Sequence, residues 1–166
     1  SDASNIIGLM TTRLSNNSSL SVGSVWNPHK GHGMRNNIRY RYNNSSSSMN
    51  KLFNADYRYF RGKGEEIDLS GVYSFNTQFS IIGKYNYSFS NSRRDVEDLI
   101  DTMIGMEYDS CCYSLKIVAR DYWTGTKKDN ALFIEFLPKG LTTTNNKTSA
   151  LLRRGIYGYK DRTDYE

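Results

Sequence analysis

Residues Phe79–Phe89 read "FSIIGKYNYSF", and the way this stretch faces decides the fold. Phe79, Ile81, Tyr85, Tyr87 and Phe89 fall on one side of an extended chain, while Ser80, Lys84, Asn86 and Ser88 fall on the other. Ile82 is the exception. A period of two sends successive side chains to opposite faces, so this is a strand with one apolar and one polar face.

The same alternation recurs on both sides of it. Over residues 34–42, Met34, Ile38, Tyr40 and Tyr42 oppose Arg35, Asn37, Arg39 and Arg41. Phe53, Ala55, Tyr57 and Tyr59 oppose Asn54, Asp56 and Arg58, and Ile67, Leu69, Tyr73 and Phe75 oppose Glu66, Asp68, Ser70 and Ser74. Further on, Thr102, Ile104, Met106 and Tyr108 oppose Asp101, Met103 and Glu107, and Tyr113, Leu115, Ile117 and Ala119 oppose Ser114, Lys116 and Arg120. Weaker alternation covers 6–14 and 20–26, and a last strand covers 130–137, "NALFIEFL". The pattern predicts an all-β, antiparallel chain of about nine strands, each of roughly 8 to 11 residues, with no helix.

Composition narrows the class. The 166 residues are poor in Leu, Ile, Val and Phe, rich in Tyr (13) and carry a net charge of +5. Mean hydropathy is −0.66, yet so many aromatics argue against disorder. No run of about 18 apolar residues predicts a transmembrane helix, and the polar start predicts a chain that is mature or cut from a longer one. The basic residues are scattered among acids, which argues against nucleic acid as a partner.

Two architectures remain. A soluble sandwich turns its apolar face inward; a membrane barrel turns it outward to lipid and lines a wet lumen with the polar face. Strand length near the 9–11 residues that cross a bilayer, Tyr repeated near strand ends and charges of both signs along the opposite face favour the barrel. The tight connection at 76–78 then reads as periplasmic, and the longer ones at 60–66, 91–98 and 124–130 as external. Nine strands leave two open edges, which hydrocarbon does not tolerate. Either this is a small closed barrel, or it is the last part of a larger one that this chain alone does not seal.

The cysteines pose a separate question. Cys111 and Cys112, in "DSCCYSL", are the only two in the chain and adjacent. Neighbouring cysteines rarely bond to each other, so they either remain thiols or reach partners outside this chain. Two adjacent cysteines alone do not build a zinc site.

Three stretches, "SCCYSLKIVARDYWTG", "DNALFIEFLPKGL" and "LLRRGIYGYKD", together resemble the C-terminal end of the LptD family of LPS-assembly proteins. The resemblance covers residues 79–161; residues 1–75 share only the strand rhythm. It implies a barrel of about 26 strands, of which residues 1–139 supply the last nine, followed by a polar tail at 140–166. It implies transport of lipopolysaccharide into the outer leaflet of the outer membrane. The implied partners are a plug lipoprotein, LptE, a periplasmic bridge reached through an N-terminal domain, and the barrel-assembly machinery. It also implies that Cys111 and Cys112 bond to two cysteines of that N-terminal domain. Finally, it implies that Asn130, Ala131, Leu132, Phe133, Ile134, Glu135, Phe136, Leu137 and Pro138 form one edge of a lateral gate. The family commonly has glycine at the position of Phe133, and Pro138 cannot donate a ladder hydrogen bond at the strand's end.

Other residue groups carry weaker expectations. Arg35, Arg39, Arg41, Arg58, Lys84, Lys116 and Arg120 would face the lumen, where they meet lipopolysaccharide phosphates or a plug, or pair with acids on neighbouring strands. Cross-strand pairing is the favoured reading. His29 and His32 lie in a Gly-rich loop with no third ligand, so no metal is expected, and no cofactor either. No triad or paired-carboxylate arrangement points to an enzyme. The alternative function is a small outer-membrane porin or adhesion barrel without a lipid substrate. The tail at 140–166 reads as a flap or as a segment folded back into the lumen.

Overall fold

Nine strands follow one another in the sheet in the order in which they occur in the chain, each hydrogen-bonded to its sequence neighbours. In the computed structural model, which describes residues 5–28, 32–46, 49–62, 64–89, 99–123, 127–139 and 147–160, they are β1 (Ile6–Ser15), β2 (Ser18–Asn27), β3 (His32–Asn43), β4 (Lys51–Phe60), β5 (Gly64–Ser74), β6 (Phe79–Phe89), β7 (Leu99–Asp109), β8 (Tyr113–Trp123) and β9 (Lys128–Pro138). Every neighbouring pair is antiparallel. The sheet is open: β1 and β9 are its edges, and β1 is exposed along its whole length. Among the described residues no helix is long and apolar enough to cross a membrane.

The register keeps each face uniform across the strands, because a slip of one residue would exchange the faces. Ile81 pairs with Met106, Met106 with Ile117 and Ile117 with Ile134, all on the apolar face. That face is uncovered, with Ile104 69% exposed and Ile134, Leu132 and Phe136 similarly open. Neighbouring rings pack tilted against one another along it, as between Phe79 and Tyr108 (centroids 4.6 Å apart) and between Tyr113 and Phe136 (5.4 Å).

The strand ends fall into two groups. At one end the connections are tied to one another: Asn43 N–H donates to Asn17 O, Asp109 N–H to Gln78 O and Lys139 N–H to Cys112 O, each within 2.8 Å. The 76–78 reversal is an Asx turn, in which Asn76 Oδ1 accepts from the N–H groups of Gln78 and Phe79. The β3–β4 connection looks long in sequence for this end. Its hairpin pairing continues beyond the strands, with Asn44 N–H donating to Lys51 O and Ser46 N–H to Met49 O. At the other end the β4–β5 connection is shorter than residues 60–66, because Phe60 pairs with Gly64 and both Glu65 and Glu66 belong to β5. Gly62 (φ 76°) and Gly64 (φ 115°) make that reversal in a region open mainly to glycine. The connection at 91–98, residues 124–126 of the connection at 124–130, residues 140–146 and 161–166 of the tail, His29 and the His32 side chain lie outside the described residues.

The expectation of no helix fails at α1 (Lys147–Gly155). The helix and the segment after it lie on the polar face and provide the only core of the described chain. Leu152, Ile156 and Tyr159 bury themselves on Leu52, Val72, Ile82, Met103 and Val118. Those strand residues explain the exception in Phe79–Phe89. Across the polar face, Leu52, Val72, Ile82, Gly105, Val118 and Phe133 pair in one continuous row over six strands. Ile82, 2% exposed, is one member of an apolar belt laid across an otherwise polar surface to receive the tail. The described part of the tail folds back over the polar face of the sheet.

Candidate functional site

The polar face is organised in rows set by the register. Beside the apolar belt, toward the tied turns, the row Ser80, Glu107, Lys116 and Glu135 crosses β6 to β9. Lys116 and Glu107 are each 0% exposed, a placement that charged groups accept only when paired. Lys116 Nζ donates to Ser149 Oγ at 2.7 Å and lies 3.6 Å from Glu135 and 3.9 Å from Glu107. Glu135 in turn accepts from Thr148 N–H (3.1 Å) and Ser149 Oγ (3.2 Å). Its carboxylate therefore satisfies a free N–H in the first turn of α1 and complements the positive end of the helix dipole. Arg153 and Arg154 fall in the last turn, where cations are favoured.

On the other side of the belt the charges pair across strands. Asp101 receives Arg120 at 2.7 Å and Lys84 at 3.1 Å. Arg39 pairs with Asp56, Arg58 lies 3.6 Å from Glu66, and Asn86 donates to both Glu66 and Asp68. Arg35 stacks over Phe60 at 4.7 Å, and Arg41 over Tyr157 of the tail at 3.5 Å. All seven cations singled out from the sequence thus lie on one face, and each has a partner within the chain. The tail takes further polar contacts there: Asn54 Nδ2 donates to Tyr157 O and Asn50 Nδ2 to Lys160 O. The tail segment therefore crosses the face from Glu135 on β9 to Asn54 on β4.

Cys111 and Cys112 are exposed free thiols in the β7–β8 turn, at the tied end of the sheet. Their Sγ atoms are 2.9 Å apart, and Ser110 Oγ donates to Cys111 Sγ. The hydrogen bond from Cys112, helped by that from Ser110, lowers the pKa of Cys111. Cys112 is raised, because it donates that bond and faces the charge that develops on Cys111. Asn130 to Pro138 lie on β9, which pairs with β8 and leaves its other side open at the sheet edge. Phe133 packs against the core beneath α1, and Pro138 pairs with Tyr113 at the strand's end.

What sequence reasoning missed is the α1 strap and its anchor, Glu135 with Ser149. A signal was present: Leu152, Ile156 and Tyr159 are spaced four and three apart, the spacing of one helical face. Among the described residues no group of three His, Cys, Asp or Glu side chains gathers to hold a metal.

No family model matches the chain. It is similar to curated relatives named LPS-assembly protein LptD. One from Xylella fastidiosa (strain 9a5c) is 33% identical over 143 residues, or 81% of this chain. One from Nitrosococcus oceani is 32% identical over 110 residues (65% of this chain), and one from Methylococcus capsulatus is 25% identical over 180 aligned residues (94%). The chain spans only 14–17% of the length of these relatives. On this relationship the chain is an LptD-related protein.

Proposed function

We propose that this chain is the C-terminal part of an outer-membrane β-barrel that delivers lipopolysaccharide to the outer leaflet. The observation that carries the reading is 33% identity to an LPS-assembly protein LptD over 81% of the chain. The two-faced sheet supports it. An 11-residue strand is about 36 Å long, and tilted by about 45° it spans about 25 Å, the height of the apolar band of such barrels. Ile81, Ile104, Ile134 and Phe136 then meet lipid, and the ion-paired face lines the lumen. Unpaired backbone on β1 and β9 would be intolerable in hydrocarbon, so strands from the rest of a longer protein meet those edges.

In this reading β9, from Asn130 to Pro138, is one edge of a lateral exit, and the barrel-assembly machinery engages it during biogenesis. The cation-bearing wall around Arg39, Arg58, Lys84 and Arg120 meets lipopolysaccharide or the LptE plug. Cys111 and Cys112 form disulfides with an N-terminal domain that receives lipopolysaccharide from the periplasmic bridge. Their exposure in one turn and the oxidising periplasm support this. The chain supplies a conduit wall and performs no chemical step.

The test is peptide mapping of the full-length protein, isolated from outer membranes without reductant. Peptides joining Cys111 and Cys112 to two different upstream cysteines are the expected result. Two free thiols in that preparation would overturn the tether and leave a barrel without it.

A further inference from the structure

The apolar face carries a notch that the pairing alone does not require. One register row crosses β4 to β7 as Phe53, Gly71, Gly83 and Ile104, so two neighbouring strands lack a side chain at the same level. Leu69 and Tyr85 close the notch on one side, Tyr73 and Ile81 on the other. The result is an open, almost wholly apolar groove of about 900 Å³.

The two glycines differ in why they are there. A Cβ on Gly71 would stand 2.8 Å from Leu52 O, so close strand packing itself demands glycine. A Cβ on Gly83 would meet nothing within 4 Å, and Gly83 has no positive φ. Glycine weakens a strand interior, and at Gly83 neither backbone nor neighbour calls for it. What its missing side chain leaves is the groove.

A single cation stands on the groove's lining. Lys51 opens β4 at the tied end of the sheet, on the apolar face, with Nζ 5.5 Å from the Tyr73 ring centroid. In the membrane orientation proposed above, on which this inference rests, that end lies at the periplasmic surface, where the leaflet is phospholipid. Lys51 then sits at headgroup depth, and the Gly71–Gly83 notch lies one register row deeper in the hydrocarbon. We propose that this groove seats one acyl chain of an anionic glycerophospholipid, with the phosphate held at Lys51.

The experiment is native mass spectrometry of the full-length protein in detergent, titrated with dioleoylphosphatidylglycerol or dioleoylphosphatidylcholine. The wild type is expected to retain one phosphatidylglycerol in preference to phosphatidylcholine. Lys51→Gln should lose that preference, about fivefold, the contribution of one surface cation. Gly83→Phe, which fills open space, should weaken both lipids about tenfold, equivalent to unburying two methylenes. Gly83→Phe binding phosphatidylglycerol as the wild type does would overturn the proposal. So would Ile104→p-benzoylphenylalanine crosslinking to a protein in cells, which would make the occupant a polypeptide. Flotation of the same proteins with vesicles reads the membrane assignment separately. Wild type that fails to float overturns both readings, whereas variants that float but do not distinguish lipids as expected overturn only this one.

Discussion

Lys116 on β8 donates a hydrogen bond to Ser149 on α1 at 2.7 Å, and both residues are buried. The pair joins the body of the sheet to the returning tail at the level of the edge strand, since Glu135 of β9 accepts from the same Ser149. One cation between two carboxylates, Glu107 and Glu135, is thus the point where tail, edge and sheet meet.

Removing the cation leaves two acids facing each other under the helix. Lys116→Met in the full-length protein is expected to cost about 3 to 5 kcal/mol locally, the cost of breaking a buried pair from one side. Hydrogen exchange should show protection lost first in residues 147–155. Unchanged exchange there would show that the helix does not depend on this pair.

Glu135 acts as the acceptor for the first turn of α1. Glu135→Ala should loosen that turn by about 1 to 2 kcal/mol, as for a lost cap with its dipole contact. Exchange in residues 147–150 should quicken before that in residues 151–155. Equal quickening along the helix would locate its anchor elsewhere.

The apolar belt predicts opposite outcomes for neighbouring residues of β6. Ile82 faces Leu152 and its neighbours, so Ile82→Ala should release the tail by about 2 to 5 kcal/mol and speed trypsin cleavage after Arg153 and Arg154. Ile81 lies on the other face, level with Lys51 near the membrane surface, where Ile81→Lys should spare the tail and cost no more than about 1 kcal/mol of membrane folding. Detergent-to-vesicle folding titrations and tail proteolysis, run side by side, separate the two faces. Similar responses from both variants would mean the faces have been assigned wrongly.

The two thiols should differ in reactivity once reduced. Hydrogen bonding from Cys112 lowers the pKa of Cys111, so its thiolate forms at a lower pH than that of an ordinary thiol; Cys112 is raised and lags. Alkylation of reduced full-length protein should therefore label Cys111 first as pH rises. Cys112→Ala should shift the Cys111 profile upward toward ordinary cysteine. Identical profiles for both thiols would mean the bond between them does not persist in solution.

The sequence by itself determined the strands, their order and their two faces. A period of two over 8 to 12 residues is a local property, and hairpin connections leave sequence neighbours as pairing partners. It also placed the seven cations on one face and the cysteines in a turn. Only the tertiary structure decided what Ile82 and Met103 are for. Each is a single apolar residue in a polar pattern, and only the register aligns Ile82 with Val72 and Val118 to make a belt. The helix was beyond reach for a related reason. Nine residues are too few to hold a helix in water, so α1 exists because Leu152, Ile156 and Glu135 find partners on strands far away in the chain.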